Sequence, residues 1–413
     1  MKLAVVGGGS TYTPELIDGL AADVDEVVLV DPDAERLRVV GEFCRRLLRH
    51  AGHPARLRTT PRLADAAEGA AAVLVQLRVG GQRARRGDET FPLDCGCVGQ
   101  ETTGAGGLAK ALRTVPVVLD VAEQVRRRAP DAWIVDFTNP VGIVTRALLE
   151  HGHRAVGLCN VAITFRRWVA ALLGCPPRSV RTEHVGLNHL TWERAVRVDG
   201  RDVLPELLDR HGAELSEHVG LPAALARRLG AIPSYYLKYF YEHDEVVARQ
   251  RRSRPRADVV AEVEQALLAR YADPSAVSKP DELAQRGGAH YSEAAIHLVR
   301  ALTSREPEEH VVNARNAGTL PFLPDDAVVE VNSTVDSRGA RPLPVRPVEP
   351  ALAGLIGHVA AYEHLALDAA LRGGRDRVAD ALLAHPLVGR YALAERLADE
   401  LVRRNADFLP WAR

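Results

Sequence analysis

The chain has 413 residues, which is enough for two domains or for one domain with a large insertion. Its formal net charge is -1, so its charge predicts no binding to nucleic acid or to a membrane surface. No apolar run approaches the roughly 20 residues of a membrane-spanning helix, and the cysteines contain no CxxC pair. We expect a cytoplasmic globular α/β enzyme with no nucleic-acid or membrane partner.

The first thirty residues have the pattern of a nucleotide-binding turn. An apolar run breaks at a glycine-rich segment that begins at Gly7, and a second apolar run ends at Asp31. Such glycines let the backbone approach a pyrophosphate, and an acid about 20 residues later meets the ribose hydroxyls of NAD. Thr13 before Pro14 predicts a helix start with Thr13 as its cap. A tight turn without a nucleotide is the alternative, because Tyr12 stands where the full fingerprint has a third glycine. The residues predicted to bind NAD are Gly7, Gly9, Ser10, Thr11 and Asp31.

Strand-like and helix-like segments alternate from residue 3 to residue 160. This alternation predicts a parallel, doubly wound sheet, in which ligands bind beyond the carboxyl ends of the strands. The segment 78–89 is polar and glycine-rich, so we expect it to lie outside the core. The other predicted segments are helices at 33–50 and 108–128, an edge strand at 55–59, and strands at 72–77, 132–137 and 155–158.

After residue 180 the pattern changes to an alternation of polar and apolar residues, which predicts antiparallel strands. Helical segments follow, then two extended runs at 310–316 and 327–336, and a helical C-terminal part from residue 350. We therefore predict a division into two domains. An NAD-binding, Rossmann-like domain covers 1–175, and an α+β domain covers 176–413.

Four residues outside the first turn could carry chemistry. Cys159 and His189 together could bind a divalent transition metal, although a buried cysteine is more often a small hydrophobe. Tyr236 lies in the densest aromatic cluster, and a catalytic phenol would need its pKa, about 10 unperturbed, lowered by a cation. The alternative for this cluster is a packed helix face. Arg286, in another glycine-rich segment, could bind a phosphate or belong to an ordinary loop.

Seven motifs in this order resemble the family 4 glycoside hydrolases, which are NAD- and metal-dependent 6-phosphoglycosidases. The resemblance runs from residue 6 to beyond residue 292 and covers most of the chain. It implies a first half like lactate and malate dehydrogenases, with an added domain, 176–413, for substrate and metal. The motifs are 6–14, 78–81 with Asp88 and Glu89, 99–104, 138–141, 157–160, 186–189 and the tyrosine cluster 235–241.

The resemblance also implies roles for single residues. Cys159 and His189 match the family's metal ligands, usually for Mn²⁺, an identity that ligand softness alone would not favour. Tyr236 best matches the catalytic base, with Tyr235 as the second choice. Asn160 stands where members that act on α-linked substrates tend to carry an acidic Asp, and this favours the β-linked branch. The predicted substrate contacts are Arg85, Asn139, Asn160 and Arg286.

The implied reaction is hydrolysis of 6-phospho-β-glucosides by a redox route that differs from the two-carboxylate scheme. It consists of C3 oxidation by NAD⁺, metal-assisted C2 deprotonation, elimination, water addition and re-reduction. Three alternatives stay open: the same chemistry on a 6-phospho-α-glucoside, galactoside or galacturonide, a 2-hydroxyacid dehydrogenase, and a nucleotide sensor without turnover. The expected partners are a phosphorylated disaccharide or aryl glycoside and further copies of the chain, in a homodimer or homotetramer. For Arg85, a surface salt bridge is an equally good interpretation, because Arg83 and Arg86 flank it.

Overall fold

The computed structural model describes residues 1–286 and 291–412, and a nine-stranded sheet runs through them. Six parallel strands form one part of it in the order β3-β2-β1-β4-β5-β6, which is the strand order of a Rossmann-like sheet. The predicted doubly wound parallel fold is thereby confirmed. These strands are β1 (Lys2–Val6), β2 (Glu26–Val30), β3 (Arg56–Thr60), β4 (Ala72–Val75), β5 (Trp133–Asp136) and β6 (Ala155–Gly157).

Helices cover both faces of this sheet, because the strands are apolar on both sides. In β1, Leu3 and Val5 pack into one core cluster, whereas Ala4 and Val6 pack into the other. The helices of this half are α1 (Thr13–Asp18), α2 (Ala34–His50), α3 (Leu63–Ala67), α4 (Gly81–Asp94), α5 (Gly104–Arg128), α6 (Val141–Glu150) and α7 (Val161–Leu173).

The start of α1 differs from the prediction. Thr13 is its first residue and Tyr12 is the N-cap, with no capping hydrogen bond from a side chain. The Thr13 hydroxyl instead accepts a hydrogen bond from Nε2 of Gln76 at 2.9 Å. The predicted cap was therefore wrong, because a partner on the loop after β4 holds this hydroxyl.

The prediction that 78–89 lies outside the core is confirmed for residues 78–87 but was wrong for the last two residues. Most of this segment belongs to α4, and Asp88 and Glu89 are buried. Their carboxylates are paired with arginines: Asp88 accepts from Arg113 at 2.6 Å and Glu89 accepts from Arg85 at 2.7 Å. Charged residues can enter a core when such partners replace water.

A second sheet contains β7 (Val180–Leu187), β8 (Leu190–Val198), β9 (Arg201–Asp202) and β10 (Ile232–Pro233), all antiparallel. The turn between β7 and β8 consists of Asn188 and His189, and His189 has a φ of 64°. The helices that follow are α8 (Leu204–Arg210), α9 (Gly212–Val219), α10 (Ala223–Leu229), α11 (Lys238–Tyr241), α12 (His243–Gln250), α13 (Arg256–Ala272), α14 (Leu283–Arg286) and α15 (Tyr291–Thr303).

Three antiparallel strands from the second half of the chain extend the first sheet beyond β6. They are β11 (Glu308–Arg315), β12 (Val328–Asp336) and β13 (Gly339–Pro342). The two predicted extended runs are therefore strands, and β11 pairs with β6 through Asn313 and Gly157. The predicted domain division at residue 175 stays a prediction.

The C-terminal part of the chain is helical, as predicted, and it packs against α5 and α6. It contains α16 (Pro350–Arg372), α17 (Arg375–Ala384) and α18 (Tyr391–Asn405). Among the described helices, none combines the length and the apolar character that crossing a membrane requires.

Helix α5 begins at Gly104, earlier than predicted, because its first glycines allow close backbone packing. A Cβ on Gly106 would lie 2.3 Å from the carbonyl oxygen of Gln100 and 2.4 Å from that of Asp88. We therefore expect Gly106→Ala to lower the free energy of unfolding by about 1–3 kcal/mol through overpacking. Urea-induced unfolding measures this change.

The matched control is Gly354→Ala in α16, where a Cβ would meet nothing within 4 Å. Since alanine in a helix is more stable than glycine by about 0.5–1 kcal/mol, this variant should unfold at a slightly higher urea concentration. Equal midpoints for Gly106→Ala and the unmodified protein would contradict the packing described for α5.

Candidate active site

The glycine-rich turn after β1 is held against neighbouring strands at very short range. The backbone N–H groups of Gly7 and Gly8 donate to the carbonyl of Val30 at 2.9 and 2.8 Å. Gly7 has a φ of 84°, and a Cβ there would lie 2.6 Å from the carbonyl oxygen of Gln76. A larger residue at position 7 would therefore displace this turn. Because glycine has no side chain, the backbone of the turn stays accessible to a ligand.

Asp31 lies at the carboxyl end of β2, beside the same turn. One carboxylate oxygen accepts from the N–H of Gly9 at 3.0 Å, and the other accepts from the N–H of Asp33 at 3.0 Å. The side chain of Arg36 donates to the carbonyl of Gly9 at 3.2 Å. Turn and carboxylate thus form one unit, as the predicted NAD site requires.

Arg286 contacts this turn. Its Nε donates to Oγ1 of Thr11 at 2.9 Å, and its guanidinium lies 3.5 Å from Oγ of Ser10. The same guanidinium pairs with Glu264 at 3.2 Å. Arg286 was predicted to bind the substrate phosphate, and the structure shows that it borders the predicted dinucleotide turn.

Cys159, His189 and Tyr236 come from three separate segments and meet at the carboxyl end of β6. The rings of His189 and Tyr236 stack with their centroids 3.6 Å apart. Cys159 lies close enough to Tyr236 to affect its ionisation. The ring of Tyr235 lies 4.5 Å from that of Tyr236. Nδ1 of His189 is 2.9 Å from Oγ1 of Thr102, a contact that fixes the ring orientation.

Burial keeps these three groups uncharged in the absence of a cation. It lowers the pKa of His189 to about 4 and raises the pKa of the Cys159 thiol. It also raises the pKa of Tyr236 well above its ordinary value, and the neighbouring Tyr235 and Cys159 raise it further. A nearby cation would reverse the shifts of the thiol and the phenol, because it stabilises their anions.

Tyr291 connects this cluster to the glycine-rich turn, and no sequence pattern indicated this role. It lies close enough to Cys159 to lower the pKa of the thiol. Its ring lies 6.2 Å from that of Tyr12 in an edge-to-face arrangement and 5.7 Å from that of Phe137. The predicted nucleotide turn and the predicted metal ligands are therefore neighbours.

A cluster of charged side chains lies next to these groups. The buried carboxylate of Glu101 pairs with Arg78, with Lys110 at 2.6 Å and with Arg85 at 3.2 Å. Burial alone would raise the pKa of Glu101, but the three cations hold it well below its ordinary range. Arg85 also pairs with Glu89 and is mostly buried, so its salt bridges are internal.

The two predicted amide contacts flank the same edge of the sheet. Asn139 follows β5, and its buried Oδ1 has no hydrogen-bond partner within the described residues. Asn160 is the N-cap residue of α7, directly after Cys159. Both side chains are half-buried. A ligand at this edge could supply the partner that Asn139 lacks.

Comparison with known proteins identifies the family of this chain. The profile named "Family 4 glycosyl hydrolase" matches residues 2–175, and that of its C-terminal domain matches residues 184–388. A 6-phospho-beta-glucosidase from Escherichia coli is 35% identical over 99% of this chain and 96% of its own length. One from Thermotoga maritima is 35% identical over 99% of each. A phospho-alpha-glucosidase from Clostridium acetobutylicum is 28% identical over 98% of each.

Solved structures agree with this assignment. The Thermotoga maritima 6-phospho-beta glucosidase, solved with NAD and glucose-6-phosphate, superposes with a TM-score of 0.92 and 34% identity over 99% of both chains. The same enzyme has been solved with manganese, NAD⁺ and glucose-6-phosphate. A malate dehydrogenase from Salinibacter ruber shares only the fold, with a TM-score of 0.55 and 17% identity over 91% of this chain and 99% of its own. The chain belongs to the family 4 glycosyl hydrolases.

Proposed function

We propose that this chain hydrolyses 6-phospho-β-glucosides with NAD⁺ and a divalent metal, Mn²⁺. The observation that carries the proposal is the 35% identity over nearly the whole chain to 6-phospho-beta-glucosidases of two bacteria. The named α-specific relatives are 26–28% identical, so the β-linked substrate is better supported.

The NAD site is proposed at the turn after β1, with Gly7, Gly9, Ser10, Thr11 and Asp31. NAD⁺ supplies a hydride acceptor, and its reduced form supplies the hydride donor that closes the cycle. The half-buried carboxylate of Asp31 lies beside Gly9 and can accept from ribose hydroxyls. Position 7 requires glycine, because a Cβ would lie 2.6 Å from the carbonyl oxygen of Gln76, and the turn therefore carries no side chain there.

The metal site is proposed at Cys159 and His189. Thiolate sulfur and imidazole nitrogen are both metal ligands, and the low pKa of His189, about 4, keeps its ring neutral and able to coordinate. In the described residues no group of three or more His, Cys, Asp or Glu side chains surrounds a common point. Cys159 and His189 would therefore hold the metal with coordination positions left for substrate oxygens or water. The metal supplies Lewis acidity to a carbonyl next to the carbon that loses its proton.

Tyr236 is the proposed base for the C2 proton, with Tyr235 as the alternative. Its half-buried phenol stacks on His189 and lies near Cys159, so a cation held by these two residues would favour the phenolate. Because the surroundings otherwise raise the pKa of Tyr236, the phenol becomes a usable base only in the loaded enzyme.

The 6-phosphate is proposed to bind near Arg85 and Arg286, with Asn139 and Asn160 close to the sugar. Around Glu101 and Glu89 there are three cationic side chains for two carboxylates, which leaves a positive excess for a phosphate. Asn160 cannot donate a proton as a carboxylic acid does, which fits a β-linked rather than an α-linked substrate. A homodimer or homotetramer is proposed as the assembly, and light scattering tests it.

Hydrolysis of p-nitrophenyl 6-phospho-β-D-glucoside tests the proposal directly. Under reducing conditions we expect activity only when NAD⁺ and Mn²⁺ are both present, with no net formation of NADH, because the cofactor is regenerated in each turnover. Release of nitrophenolate and absorbance of NADH measure the two quantities.

Three control substrates separate the alternatives: the α-anomer, the unphosphorylated glucoside and a galacturonide. Preference for one of them would replace the 6-phospho-β-glucoside assignment. Net NADH formation from a 2-hydroxyacid would indicate a dehydrogenase, and NAD⁺ binding without any turnover would indicate a sensor.

Replacing each tyrosine separately identifies the base. We expect Tyr236→Phe to lower kcat by about 10²–10⁴-fold, the usual contribution of a positioned acid or base. Tyr235→Phe is the matched control and should retain most of the activity. Affinities for NAD⁺ and Mn²⁺ should change little in both variants. A larger loss in Tyr235→Phe would exchange the two roles.

The affinity for Mn²⁺ should increase with pH through the neutral and mildly alkaline range. Binding must remove the proton of the Cys159 thiol, whose pKa is raised, whereas His189 is already neutral above its pKa of about 4. Equilibrium titrations at several pH values measure the dissociation constant. Cys159→Ser should weaken binding at every pH, and a pH-independent affinity would argue against a thiolate ligand.

A further inference from the structure

The buried residue Glu330 of β12 lies behind the proposed metal site without being one of its proposed ligands. It is 1% exposed and is connected to β6 through two strand pairs. Glu330 pairs with Asn313 of β11, and Asn313 pairs with Gly157 of β6. Since Cys159 follows Gly157 by two residues, this register brings the Glu330 carboxylate close to its thiol.

Asn188 is the physical link between Glu330 and Cys159. Its Nδ2 donates to Oε2 of Glu330 at 2.9 Å, and the same side chain lies close enough to Cys159 to lower the pKa of its thiol. An amide nitrogen has two N–H groups, so one can bind the carboxylate while the other stays available to the sulfur. The carboxylate thereby fixes the orientation of the amide beside the proposed metal ligand. Asn188 also directly precedes His189, the second proposed ligand.

Further hydrogen bonds hold Glu330 in place. Nδ2 of Asn313 donates to Oε2 of Glu330 at 2.8 Å, and Nε2 of His184 lies 3.1 Å from Oε1. The other ring nitrogen of His184 lies 2.7 Å from Oε1 of Glu193. Burial alone would lower the pKa of His184, but the Glu193 and Glu330 carboxylates outweigh it and raise the pKa to about 10. A charged imidazolium therefore lies between two carboxylates.

We propose that Glu330 is a positioning residue that holds the Asn188 side chain beside Cys159, in the turn that carries His189, and thereby sets the affinity of the metal site. This inference rests on the proposed function, because it assumes the metal site at Cys159 and His189. Two effects act together. The Asn188 N–H stabilises the thiolate, and the Glu330 charge favours a cation nearby. Partners of metal ligands of this kind change metal affinity by about 10–100-fold when they are replaced.

Glu330→Gln keeps the shape of the side chain but replaces one acceptor oxygen with a donor. Either His184 or the two asparagine amides then lose their acceptor. We expect Mn²⁺ to bind about 10–100-fold more weakly, while the affinity for NAD⁺ and the unfolding transition stay close to those of the unmodified protein. The free-ion electron paramagnetic resonance signal of Mn²⁺ measures the metal affinity without turnover.

The matched control is Glu193→Gln. It removes the same charge on the far side of His184, from a residue that has no hydrogen bond to Asn188 in the described structure. We expect its Mn²⁺ affinity to stay close to that of the unmodified protein. Equal losses in the two variants would show a general effect of buried charge and would overturn the positioning role.

Asn188→Ala provides a second and independent test. It should weaken Mn²⁺ binding on its own, and the double variant with Glu330→Gln should lose no more than Glu330→Gln alone, since that change already releases the Asn188 amide. Additive losses would overturn the inference. The thiolate-to-metal charge-transfer band of the Co²⁺ form should weaken in both single variants and disappear in Cys159→Ser.

The outcomes distinguish this inference from the proposed function. If the unmodified protein binds no Mn²⁺, the metal site and this inference both fail. If the unmodified protein binds Mn²⁺ and Glu330→Gln binds it equally well, only the role of Glu330 fails. Should Glu330→Gln not fold, Asn188→Ala decides, and an unchanged Mn²⁺ affinity in that variant would overturn the inference.

Discussion

The pairing of β11 with β6 is the interaction on which the arrangement of the candidate site depends. It occurs at Gly157, where a Cβ would lie 2.1 Å from Oγ1 of Thr145 and 2.8 Å from Cβ of Asn313, so that a larger side chain does not fit. Through this contact, strands from the second half of the chain continue the Rossmann-like sheet. The proposed dinucleotide turn, Cys159 and the strand that carries Glu330 are consequently parts of one hydrogen-bonded unit.

Buried charge is the second constraint on this region. Asp88 and Arg113 are almost fully buried and hold each other in a bidentate pair, and three cations surround Glu101. Removing such groups from water costs free energy that their mutual attraction only partly returns. These ion pairs hold the charged side chains in fixed positions, because a paired arginine or lysine cannot move without losing its partner. These side chains form a rigid surface with a small excess of positive charge next to the sheet edge, which suits the binding of a phosphorylated sugar.

The fold was largely predictable, because alternating apolar runs and glycine turns are local signals. The cap at Thr13 and the exposure of Asp88 and Glu89 were predicted wrongly, since a hydroxyl or a carboxylate takes its final role from distant partners. For the same reason Glu330, Asn188 and Tyr291 were missed: Asn188 and Glu330 are 142 residues apart in sequence. Spacing alone gave weak support to Cys159, His189 and Tyr236. The resemblance to a family, which the comparisons confirm, singled them out, and their roles stay predictions.

The position of Tyr291 has a thermodynamic consequence. It lies beside Cys159, while its ring packs edge-to-face against that of Tyr12 in the proposed dinucleotide turn. A ligand that shifts Tyr291 at one site therefore changes the free energy of binding at the other. Such a coupling is reciprocal, so the factor by which the dinucleotide changes metal affinity equals the factor by which the metal changes dinucleotide affinity. The order in which the two are added would then alter the path to the loaded enzyme, but not its final stability.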